Sequence, residues 1–327
     1  MNQRRVGILG LGAYMPEKVM TNRDIEKLVD TSDEWITSRT GIKERRICEK
    51  GVPTSDLASK AALEAIKNAG IKPTDLDLII LATISPDMVF PSTACIVQTK
   101  IGAQCPGFDI SAACSGFPYA VTIAEGLIKS GSYKKILVIG AEVISTYINW
   151  KDRSTCVLFG DGAGAAVMGM AEDGHGILST YLGADGSQAK LLQIPAGGSA
   201  IPATHESLDQ GLHYVQMEGS EVFKSAVRIM SDSVVEVAKR ANLSVQDIDC
   251  LIPHQANLRI LNAVTERTGI APDKVFINLD RYGNMSAAST VVALYEAVKE
   301  GKIKKGSNVV LVAFGSGLTW AACTIRW

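Results

Sequence analysis

The sequence has no excess of charge of either sign. Lys and Arg total 33 and Asp and Glu total 34 in 327 residues, a net charge of −1. That balance argues against broad electrostatic attraction to nucleic acid or to an anionic membrane surface. No run of apolar residues approaches the roughly 18 that a membrane span requires. The opening Met1–Gly10 imitates a leader only faintly: its apolar part is short, Pro16 follows, and no small-residue cleavage site is evident. A first β-strand is expected there instead. The seven cysteines are odd in number and form no Cys-x-x-Cys pair. Neither a disulfide framework nor a zinc ribbon is expected, and a reducing cytoplasm is the expected compartment. The four histidines form no His-x-x-x-His pair, so no metal site is expected.

What the chain has is core. Hydrophobic residues make up 46% of it, and the length suits two domains or one large double unit. Short apolar runs are expected as strands at Val6–Gly10, Leu78–Thr83, Gly107–Ser111, Lys135–Gly140 and Gly164–Gly169. A second set follows at Gly176–Leu182, Ile248–Ile252, Val275–Leu279, Asn308–Phe314 and Leu318–Ile325. Helical patterns lie between them at Asp56–Ala69, Ser92–Ile101, Gly116–Lys129, Glu218–Ala241, Leu258–Thr268 and Ala287–Lys299. Strands without alternation, separated by helices, indicate buried sheets in an α/β protein.

The two sets repeat one another. Asp77-Leu-Ile-Ile-Leu resembles Ile248-Asp-Cys-Leu-Ile, and Ile136-Leu-Val-Ile-Gly resembles Val309-Val-Leu-Val-Ala. Phe108 and Phe276 lie 168 residues apart, and Ile136 and Val309 lie 173 apart. Matches in one order at nearly one offset point to a duplicated fold, with a first half over residues 1–172 and a second over 173–327.

The repeat gathers polar residues. Cys114 and Asn284 fall in equivalent strand-to-helix turns, and His254 follows the counterpart of Leu78–Thr83. In α/β sheets ligands bind beyond the carboxyl ends of strands. Cys114 also stands where a helix should begin, and unpaired N–H groups there favour a thiolate. Gly116 leaves room for a substrate, and Pro118 falls in a first turn that tolerates it. The glycine motifs Gly7-x-x-Gly10-x-Gly12 and Gly160-Asp-Gly-Ala-Gly164 are read as turns and close-packing positions, since the first runs into Pro16 and the second lacks a P-loop Lys-Ser/Thr.

These residues sit in stretches that resemble the β-ketoacyl-[acyl-carrier-protein] synthase III family, the initiating condensing enzymes of bacterial fatty acid synthesis. The stretches are Thr31–Ile42, Asp109–Tyr119, Phe159–Ala166, Pro253–Arg259, Leu279–Ser289 and Phe314–Trp320, in order along the chain. The resemblance implies a thiolase-like duplicated five-layer αβαβα fold and a homodimer. It implies a catalytic set of Cys114, His254 and Asn284, with backbone N–H groups of Cys114 and Ser316 holding an oxyanion. In the reaction it implies, Cys114 takes an acyl group from acetyl-CoA or another short acyl-CoA. The acyl-enzyme then condenses with malonyl-acyl-carrier protein, with loss of CO2. No metal or redox cofactor is implied, the coenzyme A thioester being a substrate.

The resemblance also matches Thr31, Trp35, Arg39, Arg153 and Asn257 to coenzyme A and pantetheine binding, and Phe90 and Phe314 to the acyl pocket. Phe90 is matched to a residue that reaches the pocket of the partner subunit. Lys224, Arg228, Arg259 and Arg267 are expected to offer a basic face to the acidic carrier protein. Ser316 stands where the family usually has glycine. A papain-like hydrolase shares the order Cys, His, Asn, with Cys114 and His254 140 residues apart, but Cys-Gly-Ser-Cys-Trp is missing. The same residues are also compatible with a non-catalytic scaffold of this fold and with a condensing enzyme of secondary metabolism or long acyl chains.

Overall fold

A computed structural model describes residues 4–327. The first sheet has five strands in the order Val6–Tyr14, Gly162–Met170, Ile136–Glu142, Leu78–Ala82, Gly107–Ile110. The second has four in the order Gly176–Ala184, Thr319–Arg326, Asn308–Gly315, Cys250–Pro253. The directions match as well as the order. Ile136–Glu142 runs parallel to Leu78–Ala82 and antiparallel to Gly162–Met170. Asn308–Gly315 runs parallel to Cys250–Pro253 and antiparallel to Thr319–Arg326. The chain leaves the first sheet at Met170 and enters the second at Gly176.

The layering follows from strands that are buried on both faces. Along Leu78–Ala82 every residue is buried. Leu78 and Ile80 join the core around the central helices Gly116–Lys129 and Ala288–Lys299. Ile79 and Leu81 face the outer helices Thr54–Asn68 and Thr93–Ile101. In the second sheet Val309 and Leu311 serve the central core, whereas Val310 and Val312 serve the outer helices Gly219–Arg240 and Leu258–Thr268. The period-2 alternation of each strand divides its apolar residues between two cores, which is why the sequence reads as unbroken hydrophobic runs. The result is helix, sheet, helix, sheet, helix.

Glycine makes the outer layer fit. A Cβ on Gly10 would come within 2.8 Å of Ala69 Cα in the helix Thr54–Asn68 and its C-cap, and one on Gly12 would meet that helix at Ala61 and Ala65. The first glycine motif is therefore a strand face against which a helix packs, in keeping with its reading as a close-packing position.

One expected strand is missing. Val275–Leu279 makes a single bridge, Val275 to Leu251, and turns into a short helix at Leu279–Tyr282. Its backbone is satisfied in another way. Phe276 N–H donates to Leu251 O at 3.0 Å, and Asn278 N–H donates to Gln255 Oε1 at 2.9 Å. Gln255 Nε2 in turn donates to Pro253 O (2.8 Å) and Phe276 O (3.2 Å). One buried carboxamide takes the place of a strand ladder, a substitution that periodicity does not reveal.

The helix Asp33–Thr40 is not among the expected ones. It has no apolar stripe, but its signals are present: Ser32 accepts from Trp35 N–H at the N-terminus, Asp33 and Glu34 fill the first turn, and Gly41 ends it at φ 79°.

Replacing Gln255 by Leu leaves the Asn278 N–H and two carbonyls unpaired in the core. A loss of about 1–3 kcal/mol is expected, read as a lower denaturant midpoint at unchanged slope.

Candidate active site

The strand Gly107–Ile110 runs through Ser111 and Ala112 into a tight turn, Ala113–Ser115, from which the helix Gly116–Lys129 departs. Ala113 takes φ 47°, an uncommon conformation for a residue with a Cβ. In the second half Ser286 takes φ 45° just ahead of the helix Ala288–Lys299, 173 residues on. The two turns are therefore equivalent in backbone shape as well as in position. Strain of this kind is found where a turn must present a side chain at a site.

Two cavities, each of about 610 Å³, meet at Cys114, Phe159 and Leu192. The outer one is lined by Trp35, Arg39, Lys224, Asn257 and Arg259 toward the surface, and by Cys114, His254, Asn284 and Phe314 at its floor. The inner one continues past Cys114 between Ile84, Val89, Ile110, Ile144, Val215, Ser286 and Ser316. The Cys114 sulfur stands where the two chambers meet.

Each polar side chain at the floor is held in a defined state. Cys114 is 6% exposed, and burial pushes its thiol up to about 12, with the Ser286 hydroxyl pulling the other way. The helix start expected to favour a thiolate is outweighed by desolvation of the buried sulfur. His254 is 2% exposed, and burial alone lowers its pKa to about 3. The ring is neutral at physiological pH and one of its nitrogens carries a proton. Asn284 Oδ1 accepts from Ser286 N–H at 2.8 Å. A backbone N–H requires the oxygen at that place, so Nδ2 remains to donate.

The loop after Asn308–Gly315 closes against the Cys114 turn. A Cβ on Gly315 would stand 2.6 Å from Cys114 N. Thr319 Oγ1 donates to Ala112 O at 2.9 Å, and Ser115 Oγ donates to Thr319 O at 3.0 Å. The hydroxyl of Ser316 donates to Leu192 O. That contact anchors the loop to a short ribbon, Leu192–Gln193 with Gln216–Met217, which periodicity does not reveal because its strands are two residues long.

Of the residues expected to bind coenzyme A, three come together. Arg153 lies 4.9 Å and Arg39 6.0 Å from the Trp35 ring centre, distances for cation–π contact. Asn257 lines the outer cavity and caps the helix Leu258–Thr268 by accepting from Arg259 N–H. Thr31 does not line it; its buried Oγ1 has no hydrogen-bond partner. Lys224 and Arg259 stand on the rim, with Arg259 over the Phe223 ring at 5.6 Å. Arg228 and Arg267 lie off it, and Arg267 is paired with Asp232 at 3.4 Å.

Phe314 departs from the reading that puts it in the acyl pocket. It lines the outer cavity with His254, because it shares a strand face with Val310 and Val312 and points toward the outer helices. Phe90 is 83% exposed and lines neither cavity of its own chain, beside Val89 at the edge of the inner one. Among the described residues, no three His, Cys, Asp or Glu side chains are grouped to hold a metal, and no helix is long and apolar enough to cross a membrane.

A duplicated α/β fold with a cysteine, a histidine and an asparagine on one cavity floor suits a condensing enzyme of the acyltransferase type. Models of the 3-oxoacyl-[acyl-carrier-protein] synthase III family match residues 108–186 and, for its C-terminal part, 238–327. The β-ketoacyl-[acyl-carrier-protein] synthase III of Caldanaerobacter subterraneus is 59% identical over 322 residues, covering 98% of this chain and 97% of that one. The same-named protein of Clostridioides difficile is 57% identical, covering 99% and 98%. The crystal structure of 3-oxoacyl-[acyl-carrier-protein] synthase III from Aquifex aeolicus superimposes with a TM-score of 0.91 at 50% identity, covering 98% of this chain and all of that one. The chain belongs to the β-ketoacyl-[acyl-carrier-protein] synthase III family, the initiating condensing enzymes of fatty acid synthesis.

Burial of His254 predicts a linkage of definite sign. Between about pH 6.5 and 3 the unfolded chain takes up a proton that the buried ring refuses, so this residue lowers stability as pH falls. The imidazole of histidine-labelled protein should keep its neutral nitrogen shifts at pH 5 by NMR.

Proposed function

We propose that the protein joins acetyl-CoA, or another short acyl-CoA, to malonyl-acyl-carrier protein by decarboxylative Claisen condensation through an acyl-Cys114 intermediate. The observation that supports this reading best is that Cys114 lies in the walls of both cavities. A pantetheine arm occupies the outer cavity, and the acyl group it delivers extends into the inner one. Trp35, Arg39 and Arg153 hold the nucleotide end, where guanidinium and indole planes suit a purine and phosphates. Asn257, in the wall of that cavity, contacts the arm.

In the first half-reaction the Cys114 sulfur attacks the thioester carbon, and the N–H groups of Cys114 and Ser316 hold the oxyanion. Coenzyme A leaves, and malonyl-acyl-carrier protein takes its place in the outer cavity. Loss of CO2 puts charge on the thioester oxygen of the nascent enolate. The neutral His254 ring and the Asn284 Nδ2–H both donate there, and neither has to lose a net charge to do so. Removing one such donor typically costs about 10²–10³ in rate. The carbanion attacks the acyl-enzyme and releases 3-oxoacyl-acyl-carrier protein. The reaction so written draws on no metal and no redox cofactor.

Lys224 and Arg259 on the rim meet the acidic carrier protein first, and Arg228 and Arg267 extend the same face. The exposed apolar triplet Met88, Val89 and Phe90 fits a homodimer in which Phe90 reaches the acyl pocket of the second subunit. Residues 1–172 form the half that carries the nucleophile, and 173–327 the half that carries its two partners. The protein works in the cytoplasm, where its substrates are.

Cys114→Ser should abolish acyl transfer from acetyl-CoA, followed as the mass increase of the intact protein. His254→Ala and Asn284→Ala should keep that acylation while cutting condensation about 10²-fold or more. Equal loss of both half-reactions in either variant contradicts the division of labour. Arg153→Ala should raise the KM for acyl-CoA at little cost in kcat.

A further inference from the structure

Both backbone polar groups of Asn284 are engaged by one short segment. Its N–H donates to Leu158 O at 2.8 Å, and its carbonyl accepts from Gly160 N–H at 3.1 Å. Phe159 and Asn284 thereby pair as in a parallel ladder. The approach is close on both sides. A Cβ on Gly160 would stand 2.4 Å from Tyr282 O, and one on Gly283 would stand 2.7 Å from Leu158 O. The side-chain oxygen of Asn284 already accepts from Ser286 N–H, so the place of its Nδ2 follows the place of residues 158–160.

Two fully buried side chains pin that segment, one at each end. Ahead of it, Arg45 Nη2 donates to Val157 O at 2.8 Å. The other terminal nitrogen of Arg45 donates to Asn22 Oδ1 (2.9 Å) and to Met20 O (3.3 Å). These three acceptors are uncharged, and a buried cation depends on such bonds, which are stronger than those between neutral groups. Asn22 is itself held, since its Nδ2 donates to Ile42 O (2.8 Å) and Asp33 Oδ1 (2.7 Å). Behind the segment, Asp161 Oδ2 accepts from Cys48 N–H (2.8 Å) and Ser145 Oγ (2.6 Å), and Oδ1 accepts from Ser145 N–H (2.9 Å). The Asp161 N–H donates to Arg46 O at 2.7 Å. The strand Glu44–Arg46 and the residues after it therefore hold both ends. Neither Arg45 nor Asp161 lines either cavity.

We propose that Arg45 and Asp161 are positioning residues for Asn284. By fixing the segment from Val157 to Gly160 they aim the Asn284 carboxamide at the enolate oxygen, and they touch no substrate. The inference rests on the condensation role given to Asn284 above. Cys114 is held by a different frame, the turn Ala113–Ser115 closed by Gly315 and Thr319. Disturbing the Arg45 or Asp161 contacts therefore falls on the decarboxylating half-reaction and spares acylation.

The test compares two rates in the intact protein at saturating substrate. One is acylation of Cys114 by acetyl-CoA, by rapid quench and mass; the other is release of labelled CO2 from malonyl-acyl-carrier protein. Arg45→Lys keeps the charge and loses the planar fork, and Asp161→Asn keeps the shape and loses an acceptor. Each should slow CO2 release about 10–10²-fold and leave acylation within about twofold, since a displacement of about 1 Å is that costly to an aligned donor. In an Asn284→Ala background the same substitutions should cost nothing further, because the donor they aim is gone. Variants that slow both steps alike, that leave both at the wild-type rate, or that slow CO2 release by the same factor again without Asn284 overturn the positioning role. Should Arg45→Lys not fold, Asp161→Asn decides by the same criteria. Failure of both to fold makes them supports of the whole chain and overturns a role confined to Asn284. If Asn284→Ala alone leaves CO2 release intact, the condensation role of Asn284 falls, an outcome distinct from failure of the positioning pair.

Discussion

The backbone of Gly315 lies so close to the amide of Cys114 that a single added carbon would stand 2.6 Å from its nitrogen. That contact joins the end of a strand in the second sheet to the turn that leaves the first. Around it, Thr319 and Ser115 hydrogen-bond across the same seam. The nucleophile is therefore held by both halves at once. Any movement of one half against the other would reach the sulfur directly, because close-packed interiors transmit displacement.

The side chains of Cys114, His254 and Glu142 are buried. Desolvation disfavours charge on the thiol and on the imidazole, and it favours a protonated Glu142. A neutral histidine and an oriented carboxamide suit a reaction whose charge develops on the substrate, since prearranged dipoles then need no reorganisation.

Much of the fold is legible in the residues. The helices Gly116–Lys129 and Leu258–Thr268 have the bounds that their apolar periods indicate. The repeat is legible too, because duplicated strands bury the same faces and keep the same apolar runs. The path of Val275–Leu279 is not, since the side chain of Gln255 does there what a neighbouring strand does elsewhere. Nor is the chamber that Phe314 lines, because one residue along a strand changes the face on which a side chain lies.

By itself the sequence determined the α/β class, the duplication, and the turns on which Cys114, His254 and Asn284 sit. Local patterns carry those features, because burial and backbone preference act over a few residues. Only the tertiary structure decided that two chambers meet at one sulfur and that Asn284 offers its nitrogen and not its oxygen. Those facts depend on groups from distant strands sharing one desolvated volume, and neither distance nor dielectric environment is written in the order of residues.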